Sequence, residues 1–581
     1  MNLLKAIDLA IIIAFFVLSL SIGLLFKKKA SKNLTSFFLG GRNLPWFIAG
    51  LSMVATTFAA DTPLAVTELV NKSGISGNWL WWNALIGGML TTFFFAELWR
   101  RANVLTEIEF IKIRYGENKP AKFLRYFKSL YLGLFINTLI IAWVNLALIT
   151  ILQVYFGIDK SETFIYVIIA MTIAALYSSL SGLIGVAITD AIQFFIAIGG
   201  AIILAVFVVN SNDIGGMQNL IDKLPLGSLN FFPEISTASD SIKIITLGIG
   251  SLIAYIGIQW WASWYPGAEP GGGGYIAQRM MSTKTEKDSF LATLFFQIFH
   301  YVVRPWPWII VALATIILYP ELSADEKRLG YIMAIKDYLP SGVQGLLLTS
   351  IFAAYMSTIS THLNWGASYL INDFAIPVLK IKKPVVISKL TTIILMITGA
   401  FATTFISSIS EVWKFLFETG AGLGLVLILR WYWWRINVWA EIAATFSPFF
   451  YYFISKYFLN LDFPEGYFFT VGFTTITWVV VMLISKPDNK TTLLKFTQQI
   501  KPEGFWGEIY TSNNSKIKYK LISWLFSIVG AYSILFAIGK FLFFQYNEAV
   551  IFTIIGIFSL TIVYLSINKQ TSSKKLKKIT G

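Results

Sequence analysis

The sequence predicts an all-α membrane protein with about 15 transmembrane helices and an inverted-repeat plan, and three observations lead there. Of 581 residues, 56% are hydrophobic and 13% charged, about half the charged share of an ordinary soluble domain. Apolar runs long enough to cross about 30 Å of hydrocarbon recur from end to end. Two of them are interrupted by proline and glycine, and five helices separate the start of one broken helix from the start of the other, the pattern of a chain whose halves repeat with opposite orientation.

The first run, residues 6–26, is followed by Lys27, Lys28 and Lys29 with no small-residue cleavage site, so a retained helix is expected there. Further spans are expected over 46–70, 77–99, 124–157, 162–181, 184–209, 242–265 and 287–319. They continue over 342–374, 385–409, 412–430, 437–459, 463–484, 521–543 and 549–567. Under this count the basic stretches Lys27 to Arg42, Arg100 to Lys128, Arg279 to Lys287, Lys380 to Lys383, Arg430 to Arg435, Lys486 to Lys520 and Lys569 to Lys578 fall on one side. Positive loops mark the cytoplasmic face. The expectation is a multi-pass protein of the cell inner (plasma) membrane, N-terminus outside and C-terminus cytoplasmic.

Net charge is +15, but its placement in alternate loops assigns it to topology and lipid, with no nucleic-acid partner. Zero cysteines exclude disulfides and thiolate metal sites, and two histidines argue against a zinc enzyme. No catalytic arrangement of His and Asp or of clustered carboxylates is present, so no enzyme is expected. Transport or sensing remains.

In the first interrupted span, Ala59-Ala60-Asp61-Thr62-Pro63 sits mid-helix. Pro63 has no N–H for the carbonyl of Ala59, and its ring pushes Thr62 out of helical geometry. If 59–62 unwinds, nearby carbonyls, those of Ala55 and Phe58 among them, lose their helical donors. The second interruption, Pro266-Gly267-Ala268-Glu269-Pro270 with Gly271 to Gly274, is expected at the inner end of the span from 242.

A hard monovalent cation wants several oxygens, and in lipid orphaned carbonyls are the cheapest. The span from 342 contains Ser357, Thr358, Ser360, Thr361, His362 and Asn364, and positions 354, 357, 358 and 361 share one helical face. A Ser/Thr stripe by itself is more often glue between helices. Asp190, a carboxylate in the apolar span 184–209, is functional by default, since charge at mid-membrane costs at least about 2.5 to 3.5 kcal/mol. His300 and Arg304 are expected as an interfacial pair near one end of their helix.

Several motifs together resemble the sodium:solute symporter family. They are Phe38 to Trp46 before the first broken helix, Thr106-Glu107-Ile108-Glu109-Phe110, Gly185 to Gln193, Gln278-Arg279, and Ser357 to Asn364. The resemblance implies a core of ten helices in two five-helix inverted repeats, as in the bacterial leucine transporter, with peripheral helices at both ends. The implied division is 1–44 (N-terminal helix and basic loop), 45–211 (first repeat), 212–435 (second repeat with an outer loop) and 436–581 (C-terminal helices and basic tail). It implies a shared sodium site on backbone oxygens of Ala55, Phe58 and Ala354 and hydroxyls of Ser357 and Thr358. A second sodium site, in members that have one, would use Asp190, Ser357, Ser360 and Thr361.

The substrate cavity is expected between the two broken helices, lined by Thr57, Asp61, Thr62, Trp81, Trp82, Asn83, Gln259, Trp260 and Trp261. Aromatic walls with few polar tips suit a sugar or similar solute. Where sugar-carrying members place an acidic residue and a glutamine, a gap-free alignment puts Trp81 and Phe415, and the 266–274 insertion is longer than usual. The functional expectation is sodium-coupled import of a small polar solute, sugar or sugar acid ahead of amino acid, vitamin or other organic anion. The partners are solute, sodium (Na+) and lipid bilayer, and no obligatory protein partner is evident. A transporter-like membrane sensor is the rival.

Overall fold

The computed structural model describes residues 5–57, 59–233, 247–265, 267, 269–406 and 409–579. Among these the regular structure is helical, with three isolated β-bridges and no strand. Among the described residues nine helices are long and apolar enough to cross a membrane by length and composition, among them Ala6–Ala30, Lys119–Phe156, Glu286–Leu318 and Val343–Leu379. The rest of the expected spans are shorter, broken or joined, so the tally of fifteen is not reproduced as separate long helices. Glu162–Val209 runs for 48 residues, about 72 Å and twice a bilayer. Gly182 breaks it with φ +53°, where a Cβ would lie 2.4 Å from the Phe37 carbonyl oxygen, so the expected spans 162–181 and 184–209 meet at one glycine.

The first broken helix consists of Trp46–Thr56 and Thr62–Ser73, with Pro63 in the first turn of the second half, where its missing N–H costs nothing. The carbonyls freed by the break find side-chain donors: Arg304 Nη1 donates to the Val54 carbonyl at 2.7 Å and Thr358 Oγ1 to the Thr56 carbonyl at 3.2 Å.

The second broken helix differs from its expected form. Its first half ends at Ala262, the described residues between 263 and 273 lie outside any helix, and a new helix Gly274–Ser282 follows. The Pro/Gly stretch therefore lies between two half-helices, not at the inner end of one. Gly272 takes φ +78° with Thr91 and Met280 side-chain atoms 2.8 and 2.7 Å from where a Cβ would sit, so only glycine fits there. The two breaks touch, since Tyr275 OH donates to Thr57 Oγ1 at 3.1 Å.

Ile517–Leu542 packs outside this core, with Trp524 Nε1 donating to the Ile86 carbonyl at 3.0 Å and Tyr532 OH to the Trp82 carbonyl at 2.8 Å.

Candidate ion and substrate site

Of the residues expected at the shared sodium site, Phe58 lies outside the described residues. Ala55, at the end of Trp46–Thr56, is 3% exposed and Ala354 is 2% exposed. Thr358 Oγ1 stands 3.2 Å from both the Ala354 and Thr56 carbonyl oxygens, so it bridges Val343–Tyr369 to the first break. Ser357 turns towards Asp190, donating to Oδ1 at 2.6 Å.

Around Asp190 the structure assembles more than was foreseen. Ser52 Oγ donates to Oδ2 at 2.5 Å, and Ser360 Oγ reaches the Ser357 carbonyl at 3.1 Å, not the carboxylate. Thr361 Oγ1 is 3.1 Å from Thr56 Oγ1 and accepts Arg279 Nη2 at 2.6 Å. Arg279 was expected to open a cytoplasmic loop. Instead it is wholly buried in Gly274–Ser282, 3.7 Å from Asp190 Oδ2, with its Nε 3.1 Å from Ser52 Oγ. The Gly-rich break carries the chain back into the core before position 279, so charge alone misplaced it.

Beside this cluster lies a cavity of about 150 Å³. Thr57, Asp61, Thr62, Trp81, Asn83, Gln259 and Trp260 all line it. Asn83 spends its Nδ2 on the Trp79 and Leu80 carbonyls of its own helix, at 2.9 and 2.8 Å. Trp82 and Trp261 do not line it. Trp82 is fully buried against Trp79 and Phe536, and Trp261 packs on the patch formed by Ala262, Ala421 and Tyr467. Neighbours on a helix are about 100° apart, so a run of aromatics cannot all face one side.

Sequence reasoning missed Trp143, Tyr265, Tyr275, Tyr301, Trp413 and Phe417 in the lining. His300 lines it as well, 5% exposed, and Arg304 is 2% exposed with its guanidinium over the Trp308 ring at 4.9 Å, so this pair is interior and not interfacial. The cause is legible: Pro305 and Pro307 disturb the hydrogen bonds one turn back, and Phe299–Val303 widens into a π-turn that turns His300 and Tyr301 inward. His362 also lines the cavity, its Nδ1 2.8 Å from Asn137 Oδ1.

One end of the cavity continues into a hollow of about 70 Å³ that shares Asp61, Leu80 and Trp413 and reaches Glu68 and Arg328. At the opposite end, where the basic loops gather, buried charges lock helices together. Glu107 Oε2 accepts Gly274 N–H at 2.7 Å and Tyr369 OH at 2.9 Å. Arg430 and Lys128 both meet Glu441 Oε1, at 2.9 and 2.6 Å.

Two discontinuous helices meeting at a polar cavity, with hydroxyls and a carboxylate beside the first break, define a secondary-transporter architecture. The chain belongs to the sodium:solute symporter family, whose model matches residues 37–443. It is 24% identical to the sodium/glucose cotransporter of Vibrio parahaemolyticus, over 81% of this chain and 89% of that one. It is 27% identical to mouse sodium-coupled monocarboxylate transporter 2, over 64% of this chain and 58% of that protein. A solved sodium-coupled sialic acid symporter in a substrate-bound, outward-open state superposes with a TM-score of 0.65 at 20% identity, covering 83% of this chain and 99% of that one, so the fold is shared.

Proposed function

We propose that this chain is a sodium-coupled symporter that imports a small polar solute by alternating access. The observation that carries the reading is the contact of Thr358 with the Thr56 carbonyl across the first break, directly beside the cavity. A cation held by backbone oxygens of Ala55, Phe58 and Ala354 and by the Thr358 and Ser357 hydroxyls would tie the first broken helix to Val343–Tyr369. Its release would let them part. The hollow reaching Arg328 is the outer approach, and the Glu107 and Glu441 ion clusters are the closed inner gate. The N-terminus lies outside and the C-terminus in the cytoplasm.

Asp61 is the only carboxylate among the described lining residues, and eight aromatic side chains surround it. This favours an uncharged polyhydroxylated solute over a sugar acid, because a second carboxylate in a low-dielectric cavity is repelled. The test is uptake by the purified protein in liposomes, with neutral sugars and their acids offered under an inward sodium gradient or an equal choline gradient. The expected result is sodium-dependent uptake of a neutral solute, with a sodium affinity lowered about tenfold, or ~1.4 kcal/mol, in Thr358→Ala. Uptake driven equally by choline sinks sodium coupling, and sodium-dependent binding without uptake points to a sensor.

A further inference from the structure

The stretch between the halves of the second broken helix holds a carboxylate to which the fold offers no opposite charge. Glu269 is 4% exposed. Its Oε2 accepts the Gly267 N–H at 3.0 Å, while its Oε1 has no hydrogen-bond partner, and no Lys or Arg among the described residues pairs with it. Gln297, 2% exposed on Glu286–Ile298, likewise has an Oε1 with no partner. Both side chains line one hollow of about 10 Å³, together with Thr91 and Tyr301.

Glycines clear the space for these oxygens. A Cβ on Gly88 would lie 2.0 Å from Gln297 Oε1, and one on Gly274 2.4 Å from Glu269 Oε1. The neighbouring buried carboxylate, Glu107, is answered by Arg430 at 4.0 Å; Glu269 is answered by nothing of the kind. An unpaired buried charge costs several kcal/mol. Turning the Gln297 amide over would supply one N–H, but the charge would stay uncompensated. A hollow of this size admits about one water-sized sphere, which suits a dehydrated monovalent cation and excludes an organic ammonium. Hard cations take oxygen ligands, and the hollow offers a carboxylate, an amide carbonyl and two hydroxyl-bearing side chains.

We propose that Glu269 Oε1 and Gln297 Oε1 hold a sodium ion, at a site separate from the Thr358 and Asp190 clusters. The hollow shares Ala84, Gly267 and Tyr301 with the main cavity, so a bound ion would fix the irregular segment against the cavity wall. The inference concerns binding and stands whether or not the chain moves a solute.

The test is equilibrium binding of radioactive sodium to the purified full chain, with choline chloride holding ionic strength constant. Wild type, Glu269→Gln, Gln297→Leu and the Ser357→Ala, Thr358→Ala double variant are compared, each checked for a cooperative thermal transition. Glu269→Gln keeps the shape of the side chain and should bind one sodium fewer per chain. Gln297→Leu should weaken that same component at least tenfold, and the sodium lost in the double variant should be a different one. Wild-type stoichiometry and affinity in folded Glu269→Gln overturns the site, including the case in which the carboxyl carries a proton. So does a wild-type protein whose sodium binding disappears entirely in the double variant, a result that leaves the symporter reading intact.

Discussion

Arg279 Nη2 lies 3.7 Å from Asp190 Oδ2, so a fixed cation already stands against the carboxylate expected to hold a second sodium. The same nitrogen is 2.6 Å from Thr361 Oγ1, another of the expected ligands. Two unit charges about 4 Å apart at an effective dielectric of 20 repel by about 4 kcal/mol. Sodium and Arg279 therefore exclude each other at Asp190, and filling the site requires the guanidinium to move aside.

The pairing sets a stability prediction. Asp190→Asn leaves Arg279 buried without its counter-ion and should cost about 3–5 kcal/mol, read as a lower thermal unfolding temperature in detergent. Adding Arg279→Gln should recover part of the loss. Strictly additive losses would mean that the two charges do not interact.

A second prediction concerns stoichiometry. If Arg279 swings away during each cycle, two sodium ions move per solute and sodium activation of uptake is sigmoidal. One charge through 100 mV yields about 2.3 kcal/mol, roughly fifty-fold accumulation of a neutral solute, and a second ion squares that gain. Asp190→Asn should bring the Hill coefficient down to one and halve the charge moved per solute. Hyperbolic activation in the wild type, unchanged by Asp190→Asn, assigns Asp190 to the ion pair alone.

Hydropathy period and proline chemistry made the helical core and the first break legible, because Pro63 acts on its own chain neighbours. The placement of Ser357 and Thr358 on the helical face that carries Ala354 was legible because a helix puts positions three and four apart on one face. Arg279 was not, since its burial depends on where the glycine run sends the chain, and nothing local distinguishes a buried arginine from a loop arginine. His300 was misjudged for a related reason: two prolines widen the helix, and a 3.6-residue period does not report the rotation. Trp261 was over-counted because its neighbour Trp260 faces the cavity.

The contrast between those two tryptophans is itself testable. Trp260 lines the cavity, whereas Trp261 packs on the patch around Ala421 and Tyr467, with its Nε1 2.7 Å from the Gly257 carbonyl. Trp260→Ala should raise the apparent KM for the solute at least tenfold, with the sodium affinity measured without solute unaltered. Trp261→Ala should leave KM within about twofold and cost ~1–3 kcal/mol of stability by the lost packing. Equal effects on KM would show that the cavity wall is drawn wrongly.

The last prediction is a pH dependence set on the face with the basic loops. Asp488 lies in the short link after Glu465–Ile484, its side chain 3% exposed, 3.4 Å from Arg114 Nη1 and 3.4 Å from the Val438 N–H. Burial pushes its carboxyl up from the ordinary 3.8 to about 6, against the opposing pull of Arg114. Glu441 adds to the rise, while Arg114 is itself held by the Arg430 and Ile436 carbonyls, both at 2.7 Å, and so stays in place when Asp488 changes charge. Between those two values the folded chain binds the proton more tightly than the unfolded one, so this group's contribution is fully present below about pH 4. It is lost as pH rises through 6. Other carboxylates titrate in the same window, so the measurement is the difference between wild type and Asp488→Asn in thermal unfolding across pH 4 to 8. The wild-type unfolding temperature should fall relative to the variant's from pH 4 to pH 6 and run parallel to it above pH 7. Parallel curves over the whole range would mean that Arg114 balances burial, and a wild type that gains on the variant as pH rises would mean that Arg114 outweighs it and that the pair is a net stabilising ion pair.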